Sequence, residues 1–152
     1  MFTDYYPKRK SIRAILFDHE DRLVFLGLRQ PGKPVVYLTF GGGVEEQEVP
    51  EETLRREIIE ELDAEAVIGR EFLGVPAHRY FVARITKEGE NPFTLGPEFQ
   101  EGRNESYEVT RVSFEKATQE SFNLQPEIMK PFLSLYRGLL LKELDLLKQV
   151  RP

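Results

Sequence analysis

The stretch GGGVEEQEVPEETLRREIIEELDA, residues 41–64, decides the fold of this chain because it joins a run of glycines to an acidic helix. The three glycines let the backbone adopt positive φ angles and approach a ligand closely. Pro50 suits the first turn of a helix, and the pattern from 51 to 62 predicts a helix that ends at Leu62. The stretch therefore predicts a strand, a glycine turn and a helix, in that order.

Glu57, Glu60 and Glu61 share one side of this helix. A rotation of about 100° per residue places the three carboxylates within an arc of about 100°. The neighbouring arc is an apolar stripe formed by Leu54, Ile58, Ile59 and Leu62. Like charges at this spacing repel by about 0.2–0.5 kcal/mol per pair. A hard cation with oxygen ligands removes that repulsion, and Mg2+ suits a site that keeps positions open for water and phosphates.

Arg56 lies beside the acidic arc, and we expect it to pair with Glu48 across the loop and hold loop and helix in register. A solvated acidic helix face explains most runs of charge in proteins. The glycine run, Glu48 and Arg56 at their spacings favour a functional site over that explanation.

The segment 42–64 resembles the Nudix box, the signature G-x5-E-x7-R-E-U-x-E-E-x-G-U of Nudix hydrolases, in which U is a bulky aliphatic residue. The matching residues are Gly42, Glu48, Arg56, Glu57, Ile58, Glu60 and Glu61. The main departure is Asp63, which replaces the last glycine at the helix C-terminus, where a left-handed conformation is usual. Asp tolerates that conformation better than most residues, so the departure concerns the helix end and not the acids.

The resemblance implies an α/β fold of the Nudix type, an α/β/α sandwich with a mixed β-sheet. It implies a metal-dependent pyrophosphohydrolase that cleaves a nucleoside diphosphate linked to another moiety, as in an NTP, ADP-ribose, a nucleotide sugar or a dinucleoside polyphosphate. The cofactor it implies is Mg2+ or Mn2+, bound by Glu57, Glu60, Glu61 and the backbone carbonyl of Gly41. The box does not encode which substrate is used.

Further site residues are expected outside the box. In some family members an acid from a loop before the final strand acts as base or extra ligand, and Glu98 and Glu105 are the best candidates in that stretch. Four residues are candidates for substrate contact, by charge or by stacking on a base: Arg29, Lys33, Arg79 and Tyr80. Cations at strand ends and aromatic residues in strands are common for structural reasons as well.

Composition limits the partners and the location. With 152 residues, 40% of them hydrophobic, we expect a single domain over 1–152. The net charge of −5 argues against a nucleic-acid polymer and leaves a small phosphorylated, nucleotide-type substrate. The chain has no cysteine, no apolar run of membrane-spanning length and no secretory signal pattern, so we expect a cytoplasmic protein without disulfides or membrane contact.

The remaining pattern predicts strands at 12–17, 23–29, 35–40, 67–75, 78–85 and 107–114, with a polar connection at 86–106. A helix is predicted at 126–148, and Pro131 should kink it or mark a fresh start. The leucines near its end favour covering of the core over a homodimer, which stays an alternative.

A second hypothesis is a non-catalytic nucleotide-binding or sensing module on the same fold. Such a module would be expected to lose one or more metal carboxylates, whereas this chain keeps all three, which favours the enzyme. A third, a purely structural acidic domain, predicts no saturable Mg2+ or Mn2+ site.

Overall fold

A mixed seven-stranded sheet forms the centre of the computed structural model, which describes residues 11–44, 47–75, 78–90, Pro92 and 106–150. Its strands are β1 Ser11–Phe17, β2 Leu23–Arg29, β3 Val36–Leu38, β4 Phe40–Gly43, β5 Ala64–Val75, β6 His78–Glu88 and β7 Ser106–Val112. The main path runs β3-β2-β1-β6-β5, while β4 pairs with β1 and β7 with β2. Strands β1 and β6 are parallel and every other pair is antiparallel.

Helices cover both faces of this sheet. They are α1 Pro50–Leu62, α2 Phe114–Ala117 and α3 Met129–Lys148. Side chains of strand β1 point to the two faces of the sheet in turn. Ile12 and Ala14 belong to the apolar cluster under α1. Ile15 and Phe17 belong to the cluster under α2 and α3. The α/β/α sandwich with a mixed sheet is therefore confirmed.

The glycine run is part of the sheet and not a turn. The strand predicted at 35–40 is two short strands: β3 pairs with β2, and β4, which contains Gly41, Gly42 and Gly43, pairs with β1. Gly41 has φ +143°, and a Cβ there would stand 2.0 Å from the carbonyl oxygen of Ile12. The absence of a side chain at Gly41 thus lets β4 lie directly against β1.

The last strand ends earlier than the pattern predicted. Strand β7 stops at Val112, because the Ser113 side chain caps α2: its Oγ accepts a hydrogen bond from the Lys116 N–H at 3.1 Å. Strands β5 and β6 are both longer than predicted. Strand β5 starts at Ala64 instead of residue 67, and β6 ends at Glu88 instead of residue 85. Most of the polar stretch that follows, 91 and 93–105, lies outside the described residues.

Helix α3 begins at Met129, so Pro131 lies in its first turn and does not kink it. A first-turn residue has no intrahelical N–H partner to lose, which is why proline is accommodated there. The backbone departs from helical angles at Tyr136 instead, with φ −105° and ψ 15°. Leu135, Leu139 and Leu146 are exposed on its outer side, and association through them stays a prediction. Among the described helices, none is both long and apolar enough to cross a membrane.

Candidate active site

The three acids of helix α1 are buried to different extents where the helix packs on the sheet. Glu57 and Glu61 are only 9% and 5% exposed, whereas Glu60 is half-buried. The helix packs through the fully buried side chains of Leu54 and Ile58, which brings its acidic side against β4. The apolar stripe is narrower than predicted, because Ile59 is 44% exposed at its margin.

Two glycines of β4 receive the two buried carboxylates. The Gly41 N–H donates a hydrogen bond to Glu61 Oε1 at 3.1 Å. At the next residue, a Cβ on Gly42 would stand 2.3 Å from Glu57 Oε1. The Glu57 carboxylate thus occupies the space that a side chain at position 42 would fill, and the Glu61 carboxylate is held by the backbone of Gly41.

Arg56 binds Glu48 as the sequence analysis expected. Its Nε donates to Glu48 Oε2 at 2.9 Å and its Nη2 to Glu48 Oε1 at 3.0 Å. Thr53, which the sequence analysis did not single out, also donates to Glu48 Oε1 at 3.2 Å. The remaining nitrogen of Arg56, Nη1, lies 3.1 Å from Glu57 Oε1 and 3.5 Å from Glu60 Oε1. One guanidinium therefore joins the loop to two of the three helix acids.

The end of α1 keeps the geometry that a glycine would give. Asp63 adopts φ 51° and ψ 49°, the left-handed conformation expected at this position. Its N–H donates to the Ile59 carbonyl at 3.0 Å, and its own carbonyl accepts from the Gly89 N–H at 2.7 Å. The departure from the family pattern thus leaves the helix end in place.

The chemistry of these residues fits a hard divalent cation, since every donor is a carboxylate or carbonyl oxygen. As they are placed, however, no three acidic or histidine side chains in the described part of the chain form a cage around one point. Arg56 Nη1 lies between Glu57 and Glu60, while Glu61 is held on the Gly41 N–H. The convergence of these three acids on one cation therefore stays a prediction.

Of the other predicted contact residues, Arg79 lies on the strand that pairs with the far side of β1 from the glycines. Ile12 of β1 pairs with Gly42 on one side and with Arg79 on the other. The Arg79 guanidinium lies over the Phe81 ring and binds Glu71 through two 2.9 Å hydrogen bonds. The Arg79 guanidinium is therefore already bound by Glu71 of the adjacent strand β5.

Arg29 and Lys33 lie at the exposed end of β2 and in the turn after it. Arg29 forms an exposed ion pair with Glu108 at 3.2 Å. Tyr80 is fully buried under α3, so its ring is not available to stack on a base, and that expectation is corrected. Glu98 and Glu105 lie outside the described residues.

A pocket on the opposite face of the sheet contains polar residues that the sequence analysis did not place in a site. It encloses about 270 Å³ and is lined by Arg13, Leu38, Thr39, His78, Tyr80, Gln125 and Pro126. Arg13 Nη1 donates to the carbonyls of Thr39 at 2.9 Å and Gly41 at 3.4 Å. One feature of the sequence could have pointed to this pocket. Arg13 is the single charged residue in the apolar strand predicted at 12–17, where charged residues are rare.

Two groups in this pocket have shifted pKa values. Burial, followed by the positive charge of Arg13, lowers the pKa of His78 from its usual 6.5. His78 Nδ1 also lies in close hydrogen-bond contact with Ser11 Oγ. Burial raises the pKa of Tyr80, an effect that Arg13 and the nearby Thr39 partly offset. The pocket thus favours a neutral imidazole and a protonated phenol beside a permanent cation.

Comparison with known proteins gives a consistent set of similarities. The family model described as the NUDIX domain matches residues 7–131. The Escherichia coli ORF135 protein is similar in structure, with a TM-score of 0.60 and 18% identity over 90% of this chain and 93% of that one. The MutT protein of Methanosarcina mazei Go1 gives a TM-score of 0.55 and 18% identity over 88% and 96% of the two chains.

A MutT structure from work on the Aliivibrio salmonicida and Vibrio cholerae proteins gives a TM-score of 0.56 and 17% identity over 86% and 98% of the two chains. Among curated proteins, no sequence match was found. At these identities the similar structures support the fold, and the family model supports the family.

Proposed function

Because this chain belongs to the NUDIX family of hydrolases, we propose that it is a metal-dependent pyrophosphohydrolase that cleaves a nucleoside diphosphate linked to another moiety. The observation that carries the proposal is the burial of Glu57 and Glu61 side by side against Gly41 and Gly42. Two carboxylates in a water-poor position need compensating charge, and a divalent cation supplies it together with a binding point for phosphates.

Glu57, Glu60, Glu61 and the Gly41 carbonyl are the groups that would hold Mg2+ or Mn2+. When bound, the cation neutralises charge on the bridging phosphates and lowers the pKa of a water. The protein contributes orientation: the Gly41 N–H fixes one oxygen of Glu61, and the closeness of Gly42 restricts the carboxylate of Glu57.

Arg56 controls how the acids are presented. Its Nε and Nη2 stay on Glu48, while its Nη1 lies between Glu57 and Glu60. A cation bound by Glu57 and Glu60 would replace Nη1 as their positive partner. The bidentate pair between Arg56 and Glu48 would then still hold the helix and the loop in register.

The proposal is tested by a product-release screen across nucleoside triphosphates, ADP-ribose, nucleotide sugars and dinucleoside polyphosphates, with Mg2+ and with Mn2+. Glu57→Gln and Glu61→Gln are expected to lose most turnover while keeping the wild-type melting temperature within a few degrees. Glu52→Gln is the matched control, because Glu52 is exposed on the first turn of the same helix. Absence of product throughout, or nucleotide binding without metal and without turnover, would overturn the proposal.

For the general base we propose an acid outside the box, Glu98 or Glu105. The Gln variant of the correct residue is expected to lower kcat and to remove the acidic limb of the pH profile. The other variant should retain both. If both variants keep the wild-type profile, the base lies elsewhere.

A further inference from the structure

Thr53 is a buried polar residue of α1 at a position that the family pattern leaves open. The pattern specifies the glutamate at 48 and the arginine at 56 and places no requirement on the residues between them. Thr53 is nonetheless completely buried, with 0% of its surface exposed. A buried hydroxyl needs a hydrogen-bond partner, so the role of Thr53 depends on which oxygens its hydroxyl contacts.

The Thr53 hydroxyl contacts two acceptors at the start of α1. Its Oγ1 lies 3.2 Å from Glu48 Oε1 and 3.3 Å from the Val49 carbonyl oxygen. A hydroxyl has one proton, so it donates to one of these oxygens or shares the proton between them. The Val49 carbonyl already accepts from the Thr53 N–H at 3.1 Å, whereas an ionised carboxylate is the stronger acceptor. Glu48 is therefore the partner that gains more from the hydroxyl.

Glu48 is the residue that ties the start of α1 to the loop before it. Val49, the N-cap of the helix, forms no capping hydrogen bond through its side chain. Glu48 instead accepts from Arg56 Nε at 2.9 Å and from Arg56 Nη2 at 3.0 Å. Thr53 contacts Oε1, the same oxygen that Nη2 binds, so one oxygen of Glu48 is held by two donors that lie on the same side of α1.

Arg56 connects Glu48 to the acids of the proposed metal site. Its Nη1 lies 3.1 Å from Glu57 Oε1 and 3.5 Å from Glu60 Oε1, while its other two nitrogens bind Glu48. The guanidinium is planar and rigid, so a rotation of the Glu48 carboxylate moves all three nitrogens together. A hydroxyl that restricts this rotation therefore also restricts the position of Nη1 relative to Glu57 and Glu60.

We propose that Thr53 is a positioning residue of the proposed metal site: through Glu48 and Arg56, its hydroxyl keeps the acids of α1 oriented for a divalent cation. This rests on the proposed function and adds a residue that contacts neither cation nor substrate. The alternative is an ordinary helical threonine, whose hydroxyl bonds to the carbonyl four residues earlier. In that case, removal of the hydroxyl changes neither the state of Arg56 nor the affinity for the cation.

The first test follows the Arg56 Nε–H signal by NMR in EDTA, so that neither metal nor turnover is involved. Loss of the signal in Arg56→Lys assigns it. Thr53→Val keeps a branched side chain without the hydroxyl, and the Nε–H should then exchange with water about tenfold faster. Thr53→Ser should restore slow exchange, and Thr53→Ala repeats the test if the valine variant does not fold. Wild-type exchange without the hydroxyl overturns the proposal, whatever the activity screen shows.

The second test measures Mn2+ binding by calorimetric titration. Thr53→Val should bind Mn2+ about tenfold more weakly, the lower end of the loss expected when a group that orients metal ligands is removed, and Thr53→Ser should bind as the wild type does. Thr118→Val is the matched control, because the Thr118 hydroxyl donates to backbone carbonyls at the end of α2, that of Phe114 at 3.0 Å and that of Glu115 at 3.2 Å. It should keep the wild-type affinity.

Turnover at rising Mn2+ concentrations separates this role from general damage to α1. Because the loss concerns affinity for the cation, Thr53→Val should regain the wild-type kcat at saturating Mn2+, with an unchanged KM for the substrate. A kcat that stays low at saturating Mn2+, or a Mn2+ affinity equal to that of the wild type, would overturn the role of Thr53 alone. If the wild type itself takes up no Mn2+, the proposed function fails, and this role fails with it.

Discussion

Gly42 lies so close to Glu57 that a Cβ at position 42 would stand 2.3 Å from the Glu57 Oε1 atom. The glycine is therefore part of the acidic site, because only a residue without a side chain leaves room for that carboxylate. Its two neighbours differ. A Cβ at Gly41 would meet the Ile12 carbonyl, and one at Gly43 would meet nothing within 4 Å.

Gly42→Ala is expected to fold and to bind Mn2+ about tenfold to a hundredfold more weakly, because the added methyl displaces the carboxylate of Glu57. Calorimetric titration with MnCl2 measures the change. Gly43→Ala serves as the control and should bind as the wild type does. Gly41→Ala should fail to fold stably, since its clash is with backbone at a positive φ. Wild-type Mn2+ affinity in Gly42→Ala would remove Glu57 from the proposed ligands.

The Arg56–Glu48 pair should contribute more to stability than the neighbouring Arg55–Glu51 pair. The side chains of Arg56 and Glu48 are 25% and 18% exposed and share two hydrogen bonds, whereas those of Arg55 and Glu51 are 53% and 49% exposed. Double-mutant cycles in urea are expected to give a coupling of about 1–2 kcal/mol for the first pair and about 0.3–0.5 kcal/mol for the second. Equal couplings would contradict this.

Asp18 should make stability depend on pH in the acidic range. Burial alone would raise its pKa, but the N–H groups of Arg22 and Glu20 and the charge of Arg22 together lower the pKa below 3.8. A lowered folded-state pKa stabilises the protein above the unfolded pKa, and that stability is lost as pH falls through the folded value.

Asp18→Asn keeps an acceptor oxygen and removes the charge, so it should cost about 1–3 kcal/mol of unfolding free energy at pH 7. The difference from wild type should shrink at pH 3, as measured by urea unfolding at both pH values. A difference that is the same at pH 7 and pH 3 would show that the carboxylate charge is not responsible.

Gly89 and Asp63 should be energetically coupled. A Cβ on Gly89 would stand 2.0 Å from Asp63 Oδ2, although the end of that side chain can move. Gly89→Ala is therefore expected to destabilise the protein by about 1 kcal/mol, and Asp63→Gly, which removes the obstructing carboxylate, should abolish that cost. Thermal unfolding of the two single variants and the double variant measures the coupling. Additive effects would contradict the close approach.

Several parts of the site were predictable because they depend on short-range periodicity. The positions of Glu57, Glu60 and Glu61 on one side of α1 follow from the helical repeat, and the left-handed Asp63 from its place at the helix end. The conversion of the glycine turn into strand β4 was not predictable. It depends on pairing with β1, almost thirty residues earlier, and local propensity carries no information about such a partner.

The sequence by itself determined the family pattern and the acidic helix, since both arise from residue spacing within a short segment, and the resemblance to the family implied the sandwich class. Tertiary structure alone decided that Glu57 and Glu61 are buried while Glu60 is not, because depth depends on how α1 packs against the sheet. It also decided that Arg13, His78 and Gln125 line one pocket. The pairing of β1 with β6 brings Arg13 near His78, and the chain after β7 adds Gln125, which lies 112 positions after Arg13 in the sequence. Such long-range contacts are set by core packing, which no local pattern specifies.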